Sequence, residues 1–275
     1  MAMTLALPWN LDPVALTLGP VQIRWYGILF TAGLLLAIRL GTPLARTVGV
    51  TPEQDDSLVA WVVAGVVVGA RLGHVLFYEP GKYLADPLSV LAVWHGGLAS
   101  HGGVIGGLLG LLFFARKRGI PELPLLDVAA AVAPFTGAAI RLGNFCNSEI
   151  IGHPTTLPWA VRFVRVDDLP RHPAQLYEAI TYSMIGLLLW QTARRRPARR
   201  PGWLLGWSLV LVFTARFALE FLKEPQVAVE ARWPLDLGQL LSLPAVAVGL
   251  LLLFRASRPN DALPSPQPDS SGDRS

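Results

Sequence analysis

Long apolar runs, separated by short polar or proline-containing stretches, recur along the whole chain. Seven of them approach the roughly 20 residues that an α-helix needs to cross a bilayer. They cover approximately residues 22–40, 57–78, 97–115, 123–142, 174–193, 202–222 and 235–254. The pattern predicts an all-α fold, a polytopic membrane bundle of seven transmembrane helices.

The charges between these runs predict the orientation of the bundle. Alternate connections carry basic residues only, whereas the others are mixed in sign. The basic residues are Arg39 and Arg46, then Arg116, Lys117 and Arg118, then Arg194, Arg195, Arg196, Arg199 and Arg200, and finally Arg255 and Arg258. Because basic connections are retained in the cytoplasm, we expect the amino terminus outside and the carboxyl terminus inside.

Composition supports a membrane protein. Of the 275 residues, 52% are hydrophobic and only 15% are charged, whereas a soluble domain is about a quarter charged. The net charge of +4 is spread over several connections, so no nucleic-acid partner is expected. We predict one integral membrane catalytic domain over residues 1–258, with an outside loop at about 143–173. A disordered cytoplasmic tail is predicted over 259–275, and no cleavable signal peptide is evident.

One strongly polar motif, RLGNFCNSEIIG at 141–152, follows the fourth apolar run directly. A charge inside a membrane segment costs about 2.5–3.5 kcal/mol, so such residues indicate function. Other runs carry Arg71, His74 and His101, and a pair at Arg216 and Glu220. Two structural alternatives stay open: Arg216 and Glu220, four residues apart, could form an intrahelical ion pair, and Arg71 could extend to the outer interface.

Glycines dominate the stretch HGGLASHGGVIGG that surrounds His101. Gly102, Gly106 and Gly110 recur every four residues, which predicts close packing of this helix on a neighbour. The same small residues would also allow a lipid headgroup or a peptide backbone to approach the imidazole.

Five stretches together resemble the prolipoprotein diacylglyceryl transferases of the bacterial plasma (inner) membrane. They are VQIRWYG (21–27), HGGLASHGGVIGG (95–107), RLGNFCNSEIIG (141–152), RHPAQLYE (171–178) and RFALEFLKEP (216–225), and they occur in the family's order. The resemblance implies that a multi-pass enzyme transfers the diacylglyceryl group of phosphatidylglycerol to the lipobox cysteine of a prolipoprotein signal peptide. A thioether forms, glycerol phosphate leaves, and no cofactor or metal is needed.

The same resemblance carries functional positions onto this chain. They are Tyr26, His101, Arg141, Asn144, Glu149, Gly152, Arg216 and Glu220. Two departures stand out: Ile140 replaces a glycine of the family signature, and Val212 stands where a tyrosine can occur four residues before Arg216. The hydroxyl of that tyrosine is then either absent or supplied from elsewhere, for which Tyr182 is a candidate.

The chemistry of the side chains suits this reaction. Arginine presents a fork that binds phosphate and keeps its charge, so Arg141 and Arg216 are predicted to bind the lipid phosphate. Asn144 and Asn147 offer hydrogen bonds to phosphate or glycerol, with Gly152 and Glu220 completing the predicted binding set. Catalytic roles are predicted for Arg141, Arg216, Glu149 and Tyr26, and for His101 as the general-base candidate.

The only cysteine, Cys146, lies inside the polar motif and excludes an intrachain disulfide. It could be a nucleophile that forms a covalent intermediate. We favour a small filler, because the accepting thiol arrives on the substrate.

Three other functions use parts of the same residue pattern. An anion transporter would use Arg71, Arg141 and Arg216 along its path, but the motifs gather at one membrane edge rather than at mid-depth. A metalloenzyme would use His74, His95, His101 and Glu149, which lack a recognisable ligand spacing. A structural lipid-binding protein would bind phosphatidylglycerol without forming a thioether.

Overall fold

The computed structural model describes residues 6–19, 21–92, 97, 99–195, 200–225 and 235–257. Eight α-helices lie in this part of the chain: α1 (Trp25–Arg46), α2 (Asp55–Phe77), α3 (Pro80–Ala85), α4 (Ser100–Arg118), α5 (Glu122–Cys146), α6 (Ala174–Arg195), α7 (Trp203–Glu220) and α8 (Leu237–Ala256). All but α3 are long, and they coincide with the seven predicted runs. His95 and the tail at 259–275 lie outside the described residues.

Five helices are long and apolar enough to cross a membrane by length and composition. They are α1, the stretch Pro52–Phe77 that contains α2, α5, α7 and α8. Among the described helices α4 and α6 fall short of that criterion. The sequence explains why, since α4 ends in three basic residues and α6 begins with the polar stretch AQLYE and ends in two arginines.

Two small β-sheets correct the prediction of a purely α-helical fold. Strands β2 (Val14–Leu18) and β3 (Val21–Arg24) form an antiparallel hairpin before α1. Strand β1 (Leu7–Trp9) pairs in parallel with β4 (Val161–Phe163), which pairs antiparallel with β5 (Pro170–Arg171). Strands of two to five residues leave little periodic signal, and the β1–β4 pairing joins distant segments, so the hydrophobic pattern did not predict them.

Helix α5 is the centre of the bundle, packing against α1, α6 and α7. Its buried Leu125, Val128 and Ala131 belong to the largest apolar core. Asp127 on the same helix is buried, and its carboxylate accepts hydrogen bonds of 2.7 Å from the backbone amides of Gly202 and Leu205. The carboxylate therefore caps the start of α7 from another helix, where Gly202 has no side chain to do so.

Helices α2 and α4 pack through glycines contributed by both helices. A Cβ at Gly106 would lie closer than 3 Å to backbone atoms of Gly65 and Gly69, and a Cβ at Gly102 would clash with Gly69 and Gly73 in the same way. The sequence predicted the glycine face of α4 but not its partner on α2. Because these glycines have no side chains, the two helices approach until their backbone atoms are in contact.

We expect Gly106→Ala to destabilise the protein by about 1–3 kcal/mol, because its methyl group has to separate two helix backbones. Gly103→Ala is the matched control. The nearest atoms to a Cβ at Gly103 are Cβ of Ala70 at 3.5 Å and the carbonyl oxygen of Val66 at 3.6 Å, which are ordinary contacts. The control should be neutral or slightly stabilising, since alanine favours a helix over glycine. Thermal unfolding in detergent measures both, and equal losses would contradict the packing assignment.

Candidate functional site

The charged groups of the site gather at one end of the bundle. This end holds the last turns of α5 and α7 and the first turns of α6 and α8. Arg141 on α5 is partly buried, and its Nε lies 3.2 Å from Oε2 of Glu178, a fully buried carboxylate on α6. Its Nη1 donates a hydrogen bond of 3.2 Å to Oδ1 of Asn144 one turn later. Arg141 is thus fixed from two sides.

A chain of hydrogen bonds continues from Asn144 to Glu149. The Nδ2 of Asn144 donates to Oε2 of Glu149 at 3.2 Å, and the Nδ2 of Asn147 donates to Oε1 of the same carboxylate at 3.2 Å. The structure therefore brings four predicted site residues into one connected group. Their catalytic and binding roles remain predictions.

The backbone around Glu149 is strained. Ser148 and Ile150, on either side of it, both have φ of +56°, and they are the non-glycine residues with positive φ in the described part of the chain. This conformation is an outlier for a β-branched residue and costs on the order of 1–3 kcal/mol. Gln175, fully buried on α6, donates from Nε2 to the carbonyl oxygen of Glu149 at 2.5 Å.

Glu178 also joins α6 to the segment after α7. Its Oε1 accepts hydrogen bonds of 3.0 Å from Nζ of Lys223 and from the hydroxyl of Tyr182. Lys223 is almost fully buried and also donates to Oε2 of Glu220 at 2.9 Å. Sequence reasoning missed Gln175, Glu178 and Lys223 as site residues. Each lies inside a stretch that carried the resemblance, which was the available signal.

The alternative in which Arg216 and Glu220 form an intrahelical ion pair is wrong. Glu220 pairs with Lys223 instead, and Arg216 forms no hydrogen bond or ion pair with the residues that the structure describes. Arg216 stands one helical turn before Glu220 on α7, and Glu220 shares Lys223 with Glu178. Glu220 also lies against the start of α8, where a Cβ at Gly238 would be 2.5–2.8 Å from its carboxylate.

Gly152 lies between two backbone segments. A Cβ there would be 2.5 Å from the carbonyl oxygen of His172 and 2.8 Å from that of Leu222. Its amide donates to the carbonyl of His172 at 3.1 Å. The geometry explains the glycine by packing alone, so its role in substrate binding stays a prediction.

Tyr26 and His101 occupy different places relative to this group. The Tyr26 ring packs on α5 at Gly143, where a Cβ would be 2.8 Å from the ring atom Cδ2. Gly143 lies in the last turn of α5, next to Asn144. His101 is exposed in the first turn of α4, without a hydrogen bond to the described residues. The structure does not bring it into contact with Arg141, and its role as base stays a prediction.

Arg71 has a structural task that the sequence did not reveal. It is only 5% exposed, so its guanidinium lies inside the protein, and its extension to the outer interface stays a prediction. Its guanidinium donates to the carbonyl oxygens of Val90 (2.8 Å), Ser89 (2.6 Å) and Gly97 (3.1 Å). Arg71 thus holds residues 89–92 and Gly97, which precede α4 in the chain. Among the described residues, no group of three or more His, Cys, Asp or Glu side chains could hold a metal ion.

Arg171 connects the loop between α5 and α6 to the segment after α7. It is buried, and donates to both carboxylate oxygens of Asp167 (shortest distance 2.5 Å), to Oε1 of Glu224 at 2.8 Å and to the carbonyl of Gly152 at 3.1 Å. These hydrogen bonds hold the pKa values of the Asp167 and Glu224 carboxyl groups below their usual range.

We expect the stabilisation from this cluster to disappear in acid. A carboxyl group with a lowered folded-state pKa adds stability above its unfolded pKa of about 4, and this stability is lost as the pH falls through the folded pKa. Asp167→Asn should therefore melt below the unsubstituted protein at pH 7, and the gap should narrow as the pH falls below about 4 and the Asp167 carboxylate begins to be protonated. Thermal unfolding over this pH range measures the gap, and a gap that does not change with pH would contradict the prediction.

Comparisons with known proteins agree with the resemblance seen in the sequence. The sequence model of a family described as Prolipoprotein diacylglyceryl transferase matches residues 13–255. Three similar proteins carry the name phosphatidylglycerol–prolipoprotein diacylglyceryl transferase. The one from Tolumonas auensis is 47% identical over 91% of this chain and 97% of its own length. The one from Chloroherpeton thalassium is 46% identical over 90% of this chain and 93% of its own length. The one from Nitrosomonas europaea is 42% identical over 90% of this chain and 90% of its own length.

Proposed function

The chain belongs to the prolipoprotein diacylglyceryl transferase family, and on that premise we propose that Arg141 and Arg216 bind the phosphate of phosphatidylglycerol during transfer. The enzyme moves the diacylglyceryl group from phosphatidylglycerol to a prolipoprotein, the first step of lipoprotein maturation. In this reaction a carbon–sulfur bond forms and the bond between the glyceryl carbon and the phosphate oxygen breaks. Glycerol phosphate leaves with the electron pair, so its charge has to be stabilised.

One observation carries this placement of the site. Seven buried side-chain polar atoms in the described part of the chain have no hydrogen-bond partner. Two of them, Arg141 Nε and Glu178 Oε2, form an ion pair with each other at 3.2 Å. Three of the others lie in or beside the turn that holds Glu149: Asn147 Oδ1, Ser148 Oγ and Gln175 Oε1. Buried polar atoms are almost always paired, so such a concentration favours a polar ligand at this end of the bundle.

The other residues take roles that follow from their contacts. The amides of Asn144 and Asn147 are held by Glu149, which suits them to bind phosphate or glycerol hydroxyl groups. Glu149 then orients these amides, and His101 is the candidate that accepts the thiol proton. Tyr26 packs against Gly143, in the same last turn of α5 as Asn144.

We further propose that all seven long helices cross the bacterial plasma membrane, with the amino terminus outside. The site end of the bundle then faces outward, where phosphatidylglycerol headgroups of the outer leaflet and a lipobox cysteine can meet it. The basic connections support this orientation. A reporter that is active only in the cytoplasm, fused after residue 10, should be inactive, and an active fusion would contradict the topology.

The reaction is tested with purified protein, phosphatidylglycerol vesicles and a lipobox peptide. Mass spectrometry should find a diacylglyceryl mass gain on the peptide cysteine. A peptide with serine in place of that cysteine is the control and should stay unmodified. No mass gain on the cysteine peptide would contradict the proposed function, whereas lipid binding without a product would favour a structural lipid-binding protein.

Cys146→Ser is expected to keep most of the activity, within about threefold of the unsubstituted enzyme. Cys146 is the last residue of α5 and is partly buried as a free thiol, and the sulfur that forms the thioether belongs to the peptide. The transfer rate of the folded variant measures this. A loss of a thousandfold or more would identify Cys146 as a nucleophile.

A further inference from the structure

The turn at residues 148–150 holds Glu149 between two residues in the left-handed region. Ile150 is the more unusual of the two, because a β-branched side chain disfavours a φ of +56°. Left to itself, the turn would relax to ordinary backbone angles and carry the Glu149 side chain with it. Some contact therefore has to hold it in place.

Backbone hydrogen bonds from the amides of Ser148 and Glu149 to the end of α5 hold one side of the turn, and the side chain of Gln175 holds the other. Its side chain is fully buried in the first turn of α6, and its Nε2 donates to the carbonyl oxygen of Glu149 at 2.5 Å. Glu178 lies three residues later, on the same face of α6, and contacts Arg141. One helix face thus holds both ends of the chain of contacts that runs from Arg141 through Asn144 to Glu149.

The Glu149 carboxylate determines which way the Asn144 amide points. A carboxylate only accepts hydrogen bonds, so the Nδ2 of Asn144 has to face it, and Oδ1 then faces the Nη1 of Arg141. If the carboxylate moved away, the amide could rotate, and the guanidinium would lose the contact that sets the direction of its fork.

We propose that Gln175 is a positioning residue for this enzyme. Its hydrogen bond to the strained turn fixes the Glu149 carboxylate, which orients Asn144, and through Asn144 the Arg141 guanidinium. This inference rests on the proposed role of Arg141 at the lipid phosphate. It assigns Gln175 no contact with substrate.

The first experiment replaces Gln175 by methionine, which is similar in volume but has no donor. We expect kcat for lipobox-peptide modification to fall about tenfold to a hundredfold, as for a misplaced catalytic group. The KM for phosphatidylglycerol should stay within about threefold. A rise in KM with kcat unchanged would overturn the proposal. If the methionine variant does not fold, Gln175→Asn withdraws the same amide by one methylene group, and the same division between kcat and KM is expected.

A double-variant cycle separates positioning from general loss of structure. In a Glu149→Gln background, Gln175→Met should have little further effect on kcat, because the carboxylate that Gln175 positions is already gone. The same loss in both backgrounds would mean that Gln175 acts by another route and would overturn the proposal.

Relief of the strain gives an independent test. Glycine tolerates positive φ. The double variant Ile150→Gly, Gln175→Met should therefore have a kcat at least about threefold higher than Gln175→Met alone. Ile151→Gly is the matched control, since Ile151 lacks a positive φ and packs against the Phe145, Val161 and Phe163 cluster. Equal recovery in both double variants, or none with Ile150→Gly, would contradict the inference. If instead the unsubstituted enzyme gives no peptide mass gain, it is the proposed function that fails.

Discussion

Arg141→Gln and Arg216→Gln are each expected to lower turnover at saturating phosphatidylglycerol by on the order of a hundred- to a thousandfold. That is the typical effect of removing one preorganised electrostatic donor. The leaving phosphate gains charge as the carbon–oxygen bond breaks, so the arginines interact more strongly with the transition state than with the bound lipid. Turnover should therefore fall, rather than binding alone.

The structure divides the two arginines by their surroundings. Arg141 is fixed by Glu178 and Asn144, whereas Arg216 forms no hydrogen bond or ion pair within the described ranges. Lysine keeps the charge but loses the fork, so Arg216→Lys should recover more turnover than Arg141→Lys. In Arg141→Lys the ammonium group cannot make both contacts that the guanidinium makes with Glu178 and Asn144.

Arg165→Gln is the matched control for both arginines. Arg165 is exposed in the turn after β4, so removing its charge should leave turnover unchanged. Full turnover of Arg141→Gln or Arg216→Gln at saturating lipid would refute the phosphate assignment for that residue.

Glu178→Gln is expected to destabilise the protein by about 3–5 kcal/mol. Glu178 is fully buried and faces Arg141 and Lys223, and removing one partner of a buried ion pair leaves an uncompensated charge in a medium of low dielectric constant. Thermal unfolding in detergent measures the loss. Neutralising Lys223 as well, with Lys223→Met, should restore part of it, because the charges then balance again.

Glu122→Gln provides the control for this prediction. It makes the same chemical change at an exposed pair, since Glu122 contacts Arg116 at 2.6 Å with both side chains at least 40% exposed. Exposed pairs contribute at most about 1 kcal/mol. If Glu178→Gln loses no more stability than Glu122→Gln, Glu178 does not form the stabilising buried ion pairs assigned to it.

The sequence by itself determined the helices and the region of the site. Long apolar runs are a local property of the chain, and a segment that has to satisfy its own backbone in lipid becomes helical wherever it lies. Polar motifs at the ends of these runs indicated the residues, and the resemblance they carried is confirmed by the family to which the chain belongs. Asn144, Asn147 and Glu149 lie within eight residues of Arg141, so their proximity also followed from the sequence.

Only the tertiary structure decided which charge meets which. The hydrogen bond between Lys223 and Glu178 joins residues 45 positions apart, and the packing of α5, α6 and α7 selects it over the Arg216–Glu220 spacing. The burial of Arg71 depends in the same way on contacts with a distant segment. The glycines of α2 allow close helix packing only because the glycines of α4 lie opposite them. In each case the cause is contact between separate segments, which no local pattern of residues contains.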